Sequence, residues 1–327
     1  MLVYVDDILV TGNQSFVVTT FIAALSARFV TRDLGDLSFF LGIEAIKQSD
    51  ESLLISQRQH MVDLLTKANM LNSKPVRTDM STTSAELPSC DASPDPTLYR
   101  QLVGSLQYLT LTRPDLSFAV NKVCQHMHDP QASHFLLVKH ILRYVKGTLD
   151  MGLLIAPSRD IDIQAFSDAD WAGSAIDRCS TGGYTVYLGP NLISWQSKKQ
   201  RTVARSSTEF EYKALADCSA ELSWLVSLLR ELHLSPSKPP ILWCDNLGAT
   251  YLSANPVFHA HTKHIEIDFH FVLEKVARKE LQIQFISTKD QIVDVLTKPL
   301  ATSRFIFFRD KLRLRSRPPS ACAVSIE

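Results

Sequence analysis

The chain lacks a net charge. Its 34 basic and 34 acidic residues cancel over 327 positions, so no global field steers it towards nucleic acid or membrane, although a local basic stripe can sit inside a neutral total. It lacks any run approaching the ~18 apolar residues of a membrane span, which argues against membrane residence. The opening MLVYVDDILV puts Asp6 and Asp7 where a secretory signal needs basic and then uninterrupted apolar residues. Six cysteines show no CxxC spacing, which argues against a disulfide scaffold and for reduced thiols. No internal repeat is visible. These absences leave an intracellular protein, cytoplasmic or nuclear. Its 45% hydrophobic and 21% charged residues are an ordinary globular balance, long enough for about two domains.

Residues 1–74 read as an α+β piece. The alternation around Tyr4-Val5-Asp6-Asp7-Ile8-Leu9 predicts a β-hairpin with both carboxylates near its turn. Ser56-Gln57-Arg58-Gln59 reads as a capping box opening a helix through Val62, Leu65 and Ala68. Residues 75–97, rich in Ser, Thr, Asp and Pro, read as a linker. Residues 98–156 read as helical. Leu98, Leu102, Leu106 and Leu109 keep helical spacing, Pro114 restarts a helix carrying Leu116, Val120 and Val123, and a third helix ends near Gly147. Over 157–303 the pattern runs strand, strand, strand, helix, strand, helix, strand, helix. It predicts a mixed five-stranded sheet with helices. The last helix is expected to be capped by Thr288 with Gln291 three residues on. Residues 304–327 read as a divergent basic tail, either a clamp for nucleic acid or a frayed end, the frayed end being favoured.

The informative residues are acids. Asp168 and Asp245 end two predicted strands, and parallel strands of an open sheet deliver their C-terminal residues to one crevice. Two anions placed there need a cation, a shared proton or separation; taken singly, each serves equally well as a cap. Glu211 begins the apolar stripe of a long helix, in register with Leu215, Cys218, Leu222, Leu225 and Leu229. An unpaired ionised carboxylate on a buried stripe costs several kcal/mol, roughly, and a metal or a wet cleft relieves it. Glu209, two residues away, is explained by a capping box with Ser206. Asp294 has Lys298 at i+4, which also suits a solvated helix face. Four hard carboxylates suit two Mg²⁺ ions, with Mn²⁺ as a substitute, and two such ions activate water for phosphodiester cleavage.

At these residues the sequence closely resembles the Pol polyprotein of copia-type LTR retrotransposons. The resemblance is carried by YVDDIL (4–9), LGDLSFFLGIE (34–44), YRQLVGSLQYL (99–109), TRPDLSFAV (112–120), SDADWAG (167–173), SWQSKKQRTVARSSTEFEY (194–212), CDN (244–246), TKHIEID (262–268) and VDVLTKPL (293–300). It implies the second half of a reverse-transcriptase palm, then thumb and connection helices, then an RNase H. Asp6 and Asp7 match the paired aspartates of the polymerase hairpin. The four RNase H acids map onto Asp168, Glu211, Asp245 and Asp294. With Met1 only three residues before Tyr4, the polymerase half is expected to be incomplete and inactive alone. The implied activity is metal-dependent hydrolysis of the RNA strand of RNA/DNA hybrids. The competing expectation is a non-catalytic transposon remnant that binds nucleic acid or a partner Pol chain.

Candidate phosphate contacts are Lys198, Lys199, Arg201 and Arg205, between the third strand and the Glu211 helix, against the alternative of a solvated charge run. Asn246 suits either a ribose or metal-water contact or an Asx turn. Trp195 reads as core and Trp171 as a flank of the cleft. His259, His261 and His264 match no strong zinc spacing.

Overall fold

A computed structural model describes residues 1–82, 95–170, 180–200, 206–254 and 266–318. Arg201, Arg205, Trp171, the histidines at 259, 261 and 264, and most of the expected linker lie outside the described residues. In the first part of the chain β1 (Leu2–Tyr4) and β2 (Asp7–Leu9) form a hairpin, followed by α1 (Ser15–Ser26), β3 (Phe39–Phe40), β4 (Ile43–Lys47), β5 (Leu53–Ser56) and α2 (Arg58–Lys67). Next come α3 (Pro96–Leu109), α4 (Ser117–Cys124), α5 (Ala132–Lys146) and β6 (Met151–Ile155). The acid-bearing part contains β7 (Ile163–Asp170), β8 (Thr181–Leu188), β9 (Asn191–Lys199), α6 (Ser207–Glu231), β10 (Ile241–Cys244), α7 (Leu247–Ala254), α8 (Glu266–Ala277), β11 (Gln282–Phe285) and α9 (Asp294–Thr297). It closes with α10 (Thr302–Lys311) and β12 (Leu314–Ser316). Among the described residues no helix is long and apolar enough to cross a membrane.

The expected mixed sheet is present, in the order β11-β10-β7-β8-β9. β7, β8 and β9 are antiparallel neighbours, while β10 runs parallel to both β7 and β11. Alternation along β7 explains how this sheet is covered. Ile163 and Ala165 join a core with Leu215, Leu222, Leu225, Leu242 and Phe269, whereas Phe166 packs against a second core on the other face. That second core is built from Met61, Leu65, Leu102, Leu106, Val120, Ile141 and Val145 on the helices of residues 57–146, and it takes in Leu192 of β9. Ser206 caps α6 as expected, its hydroxyl accepting from the Glu209 N–H at 3.2 Å.

Four expectations need correction. Met151–Ile155, placed among helices, is the strand β6, paired antiparallel to β5 and β12. A five-residue apolar run carries no period that separates strand from helix. Gly152 shows what selects the strand: a Cβ there would lie 2.6 Å from the Ile55 carbonyl oxygen, so the backbones meet too closely for a side chain. Ser56 opens no capping box, because it ends β5 in register with Glu44 and α2 has no side-chain cap bond. The closing helix is the single turn α9, begun at Asp294 rather than Thr288. Finally, the described part of the tail, residues 304–318, is not frayed. α10, β12 and the turn between them bury Phe305, Phe308, Leu312 and Leu314, and the first three join the helical core.

The expected linker is also held at its start. Val76 N–H donates to the Arg143 carbonyl and His140 reaches the Thr78 carbonyl, so residues 75–80 lie along α5. By contrast, α1 buries none of its residues, and Phe16, Val17 and Phe29 are exposed.

The TRPD motif forms a buried polar knot in the helical core. The Arg113 guanidinium, with no exposed surface, donates twice to Asp115, at 2.9 and 2.7 Å, and also to the Thr148 carbonyl. Tyr144 Oη donates to the same carboxylate at 2.6 Å. Pairing of this quality offsets the desolvation of both ions, and removing one partner strands the other.

A candidate acid cluster for metal ions

Strand ends and one buried helix face deliver the acids. Asp168, 2% exposed, lies on β7 opposite Gly183 of β8. Glu211 lies in the first turns of α6, 8% exposed, which follows from its place on the apolar stripe. Asp245 follows β10, the parallel neighbour of β7. Glu211, Cys244 and Asp245 each present a ligand atom within 4.8 Å of the others, the one such group of three or more among the described residues. Asp168 and Asp294 lie outside that trio, but Asp168 is near enough for Glu211, Asp245 and Asp294 all to interact with it electrostatically.

Gly183 lets the fourth acid approach. A Cβ there would lie 2.9 Å from the Gln196 carbonyl oxygen and 3.2 Å from both Leu296 Cβ and Thr297 Cγ2. The missing side chain therefore seats α9 directly on the sheet. From α9, Thr297 Oγ1 donates to Asp168 Oδ2 and Asp294 enters the cluster at 2% exposure. The solvated-face alternative for Asp294 does not hold. Its i+4 partner is real, since Lys298 Nζ lies 2.6 Å from Asp294 Oδ1, but both stand over the acid cluster, with Asp168 Oδ2 3.8 Å from the same ammonium. Arg304 of α10 takes the other oxygen, Asp294 Oδ2, at 2.7 Å and also donates to the Thr288 carbonyl.

Burial, with repulsion from Asp168 and Asp245, pushes the Glu211 carboxyl up to about 10, against the pull of Lys298 and a backbone hydrogen bond from Ala169. Its Oε2 is buried without a hydrogen-bond partner. Burial also pushes Asp168 up to about 6; Lys298 and Thr297 oppose the shift, and Asp294 and Asp245 add to it. Burial pushes the Cys244 thiol well above its ordinary value, which keeps it neutral and a poor ligand for a hard cation. An orphaned carboxylate oxygen beside a second carboxylate is a donor set suited to Mg²⁺ or Mn²⁺.

Gln291 was missed as a site residue. Its Nε2 donates to the Ser167 carbonyl at 2.9 Å and reaches Asp245 Oδ1 at 3.5 Å. Being fully buried, the amide ties the segment before α9 to the ends of β7 and β10 instead of helping to cap a helix. The i+4 spacing alone marks Lys298 as a surface partner of Asp294, and nothing in the local sequence ties Arg304 to the acids.

The remaining candidates separate. Lys198, exposed, and Lys199 line a cleft with Gly182, Gln200 and Lys213 on the sheet edge next to α6. Lys199 Nζ also donates to Gln125 at 2.9 Å. Asn246 Oδ1 accepts from the Ala249 N–H at the start of α7, as the Asx reading expects. Trp195 Nε1 donates to the Thr110 carbonyl and its ring packs on the helical core, as expected of a core residue. Asp6 lies in the β1–β2 turn and Asp7 begins β2, both exposed, and neither belongs to the acid trio.

A family model described as reverse transcriptase (RNA-dependent DNA polymerase) matches residues 1–82. The retrovirus-related Pol polyprotein from transposon RE2 of Arabidopsis thaliana is 50% identical over 99% of this chain and 22% of its own length. That from transposon TNT 1-94 of Nicotiana tabacum is 34% identical over 97% of this chain and 24% of its own length. The chain thus spans less than a quarter of these relatives. Among solved structures, LC11-RNase H1 in complex with an RNA/DNA hybrid aligns with 42% of this chain and 94% of its own, at 12% identity and a TM-score of 0.32.

Proposed function

The chain belongs to the retrovirus-related Pol polyproteins of copia-type transposons, and from that premise we propose that its acid cluster hydrolyses the RNA strand of RNA/DNA hybrids. The observation that carries this reading is the buried, unpartnered Glu211 Oε2 facing Asp245. Such an arrangement is costly in a merely structural core and is relieved by a divalent ion.

Glu211, Asp245 and Asp168 would hold one ion, and Asp168 with Asp294 a second. Two bound ions supply an activated water and charge stabilisation for the leaving oxygen. The protein's part is to hold its oxygens in place. Thr297 orients the Asp168 carboxylate, Gln291 steadies Asp245, and Arg304 anchors Asp294. Lys198 and Lys199, on the strand leading towards α6, would bind backbone phosphates of the hybrid, while 2′-hydroxyls mark the strand to be cut.

The test is cleavage of an end-labelled hybrid in Mg²⁺ by the whole chain. Asp168→Asn and Asp245→Asn are expected to lower the rate by about a thousandfold or more, the scale of losing a principal electrostatic contributor. A folded wild-type chain that leaves the hybrid uncut overturns the proposal.

A further inference from the structure

The acid cluster is electrostatically lopsided. On one side Asp294 has a cation on each oxygen, Lys298 on Oδ1 and Arg304 on Oδ2, and Lys298 also approaches Asp168. On the other side, no ion pair among the described residues reaches Glu211 or Asp245, and Glu211 Oε2 is left without a partner. An incoming divalent ion therefore has no resident cation to displace on the Glu211 side, whereas the Asp294 side is already occupied.

The two resident cations differ in what else holds them. Arg304 donates to the Thr288 carbonyl at 2.6 Å and its guanidinium stands 4.8 Å over the Phe308 ring, so its departure would break contacts unrelated to the acids. Lys298 ends α9, its side chain is 31% exposed, and among the described residues its ammonium pairs with the two carboxylates. A long flexible side chain with an open path to water can swing away. An ammonium and a divalent ion within about 4 Å of one another in a site of reduced dielectric repel by several kcal/mol, so the two cannot share Asp168 and Asp294.

We propose that Lys298 is the resident cation of the second ion position. The first divalent ion enters between Glu211 and Asp245, and the second enters between Asp168 and Asp294 by displacing the Lys298 ammonium, while Arg304 keeps Asp294 in place. This assignment rests on the two-ion reading above. It makes Lys298 a positioning residue that sets the order and affinity of ion loading.

The experiment is titration of the full chain with Mn²⁺ in the absence of nucleic acid, with free Mn²⁺ followed by electron paramagnetic resonance. The wild type is expected to bind one ion tightly. Lys298→Met should bind two, its second at least about tenfold more tightly than any second ion of the wild type, as removal of a competing charge requires. Lys298→Arg, which keeps the charge, should return to one, separating charge from repacking of α9. Glu211→Gln should lose the first ion. Equal number and affinity in wild type and Lys298→Met, with hybrid cleavage intact in the wild type, overturns this assignment alone. A wild type that binds no Mn²⁺ and cuts no hybrid overturns the nuclease reading along with it.

Discussion

Three of the four acids and the fourth stand on different hydrophobic cores. Asp168, Glu211 and Asp245 come from β7, α6 and β10, whose apolar side chains Ala165, Leu215 and Leu242 pack together between the sheet and α6. Asp294 comes from α9, whose Val295 and Leu296 pack with Leu106, Val120 and Tyr144 on the far side of the sheet. The Glu211–Asp245 half thus depends on the sheet and α6. The Asp294 half depends on how well the preceding helices, together with α10, hold α9 against β8. A site assembled this way can lose one half while the other stays intact.

The strongest way to break this comparison is through the helical core alone. Asp115→Ala leaves the Arg113 guanidinium fully buried without its carboxylate, and is expected to destabilise that core by about 3–5 kcal/mol. Urea unfolding followed by near-ultraviolet circular dichroism should show a lower midpoint, and hybrid cleavage should fall with it. A loss below about 1 kcal/mol would mean that the knot contributes little to the core.

A pH series sharpens the other half. Glu211 holds its proton in the folded chain up to about 10, whereas in the unfolded chain it releases it near the ordinary ~4.3. Between those values the folded state binds more protons, so without divalent ions stability declines as pH rises, by roughly 2–4 kcal/mol from pH 5.5 to 8.5. Asp168, raised to about 6, contributes in the same direction over the lower part of that window. Melting in EDTA should show the decline, Mg²⁺ should reverse it, and Glu211→Gln should flatten it. A Tm that rises with pH in EDTA would contradict the buried, repelled carboxyl.

The smallest expected effect tests the seam between the halves. Gly183→Ala places a Cβ against the Gln196 carbonyl, Leu296 and Thr297, and overpacking of this kind costs about 1–3 kcal/mol. Gly182→Ala, with its nearest neighbours at 3.4 Å and 3.5 Å, is the control and should leave the melting temperature almost unchanged. Equal melting curves for the two variants would show that α9 yields freely, and that Gly183 does not govern the approach of Asp294.

Local pattern was a good guide wherever a residue's role depends on its own element. Glu211 stood out because it begins an apolar stripe that α6 buries along its whole length. The β8–β9 hairpin and the N-cap of α6 were readable from a few adjacent residues. Short-range pattern failed where a distant partner competes for the same group. Thr288 and Gln291 look like a cap pair, yet Gln291 is drawn to Ser167 and Asp245. Phe305, Phe308 and Leu312 carry helical spacing that marks a buried face, but the basic residues between them point to a frayed end or a nucleic-acid clamp.

The amino-acid order by itself determined the identity of the candidate acids, the five-stranded sheet that carries two of them, and the family, because each is written in contiguous motifs and in the periods of strand and helix. Tertiary structure alone decided that Asp294 is buried, that Lys298 and Arg304 are its counter-ions, and that α10 and β12 close the fold. Those outcomes depend on which apolar faces meet and which charges are desolvated together, and neither is encoded in the spacing of neighbouring residues.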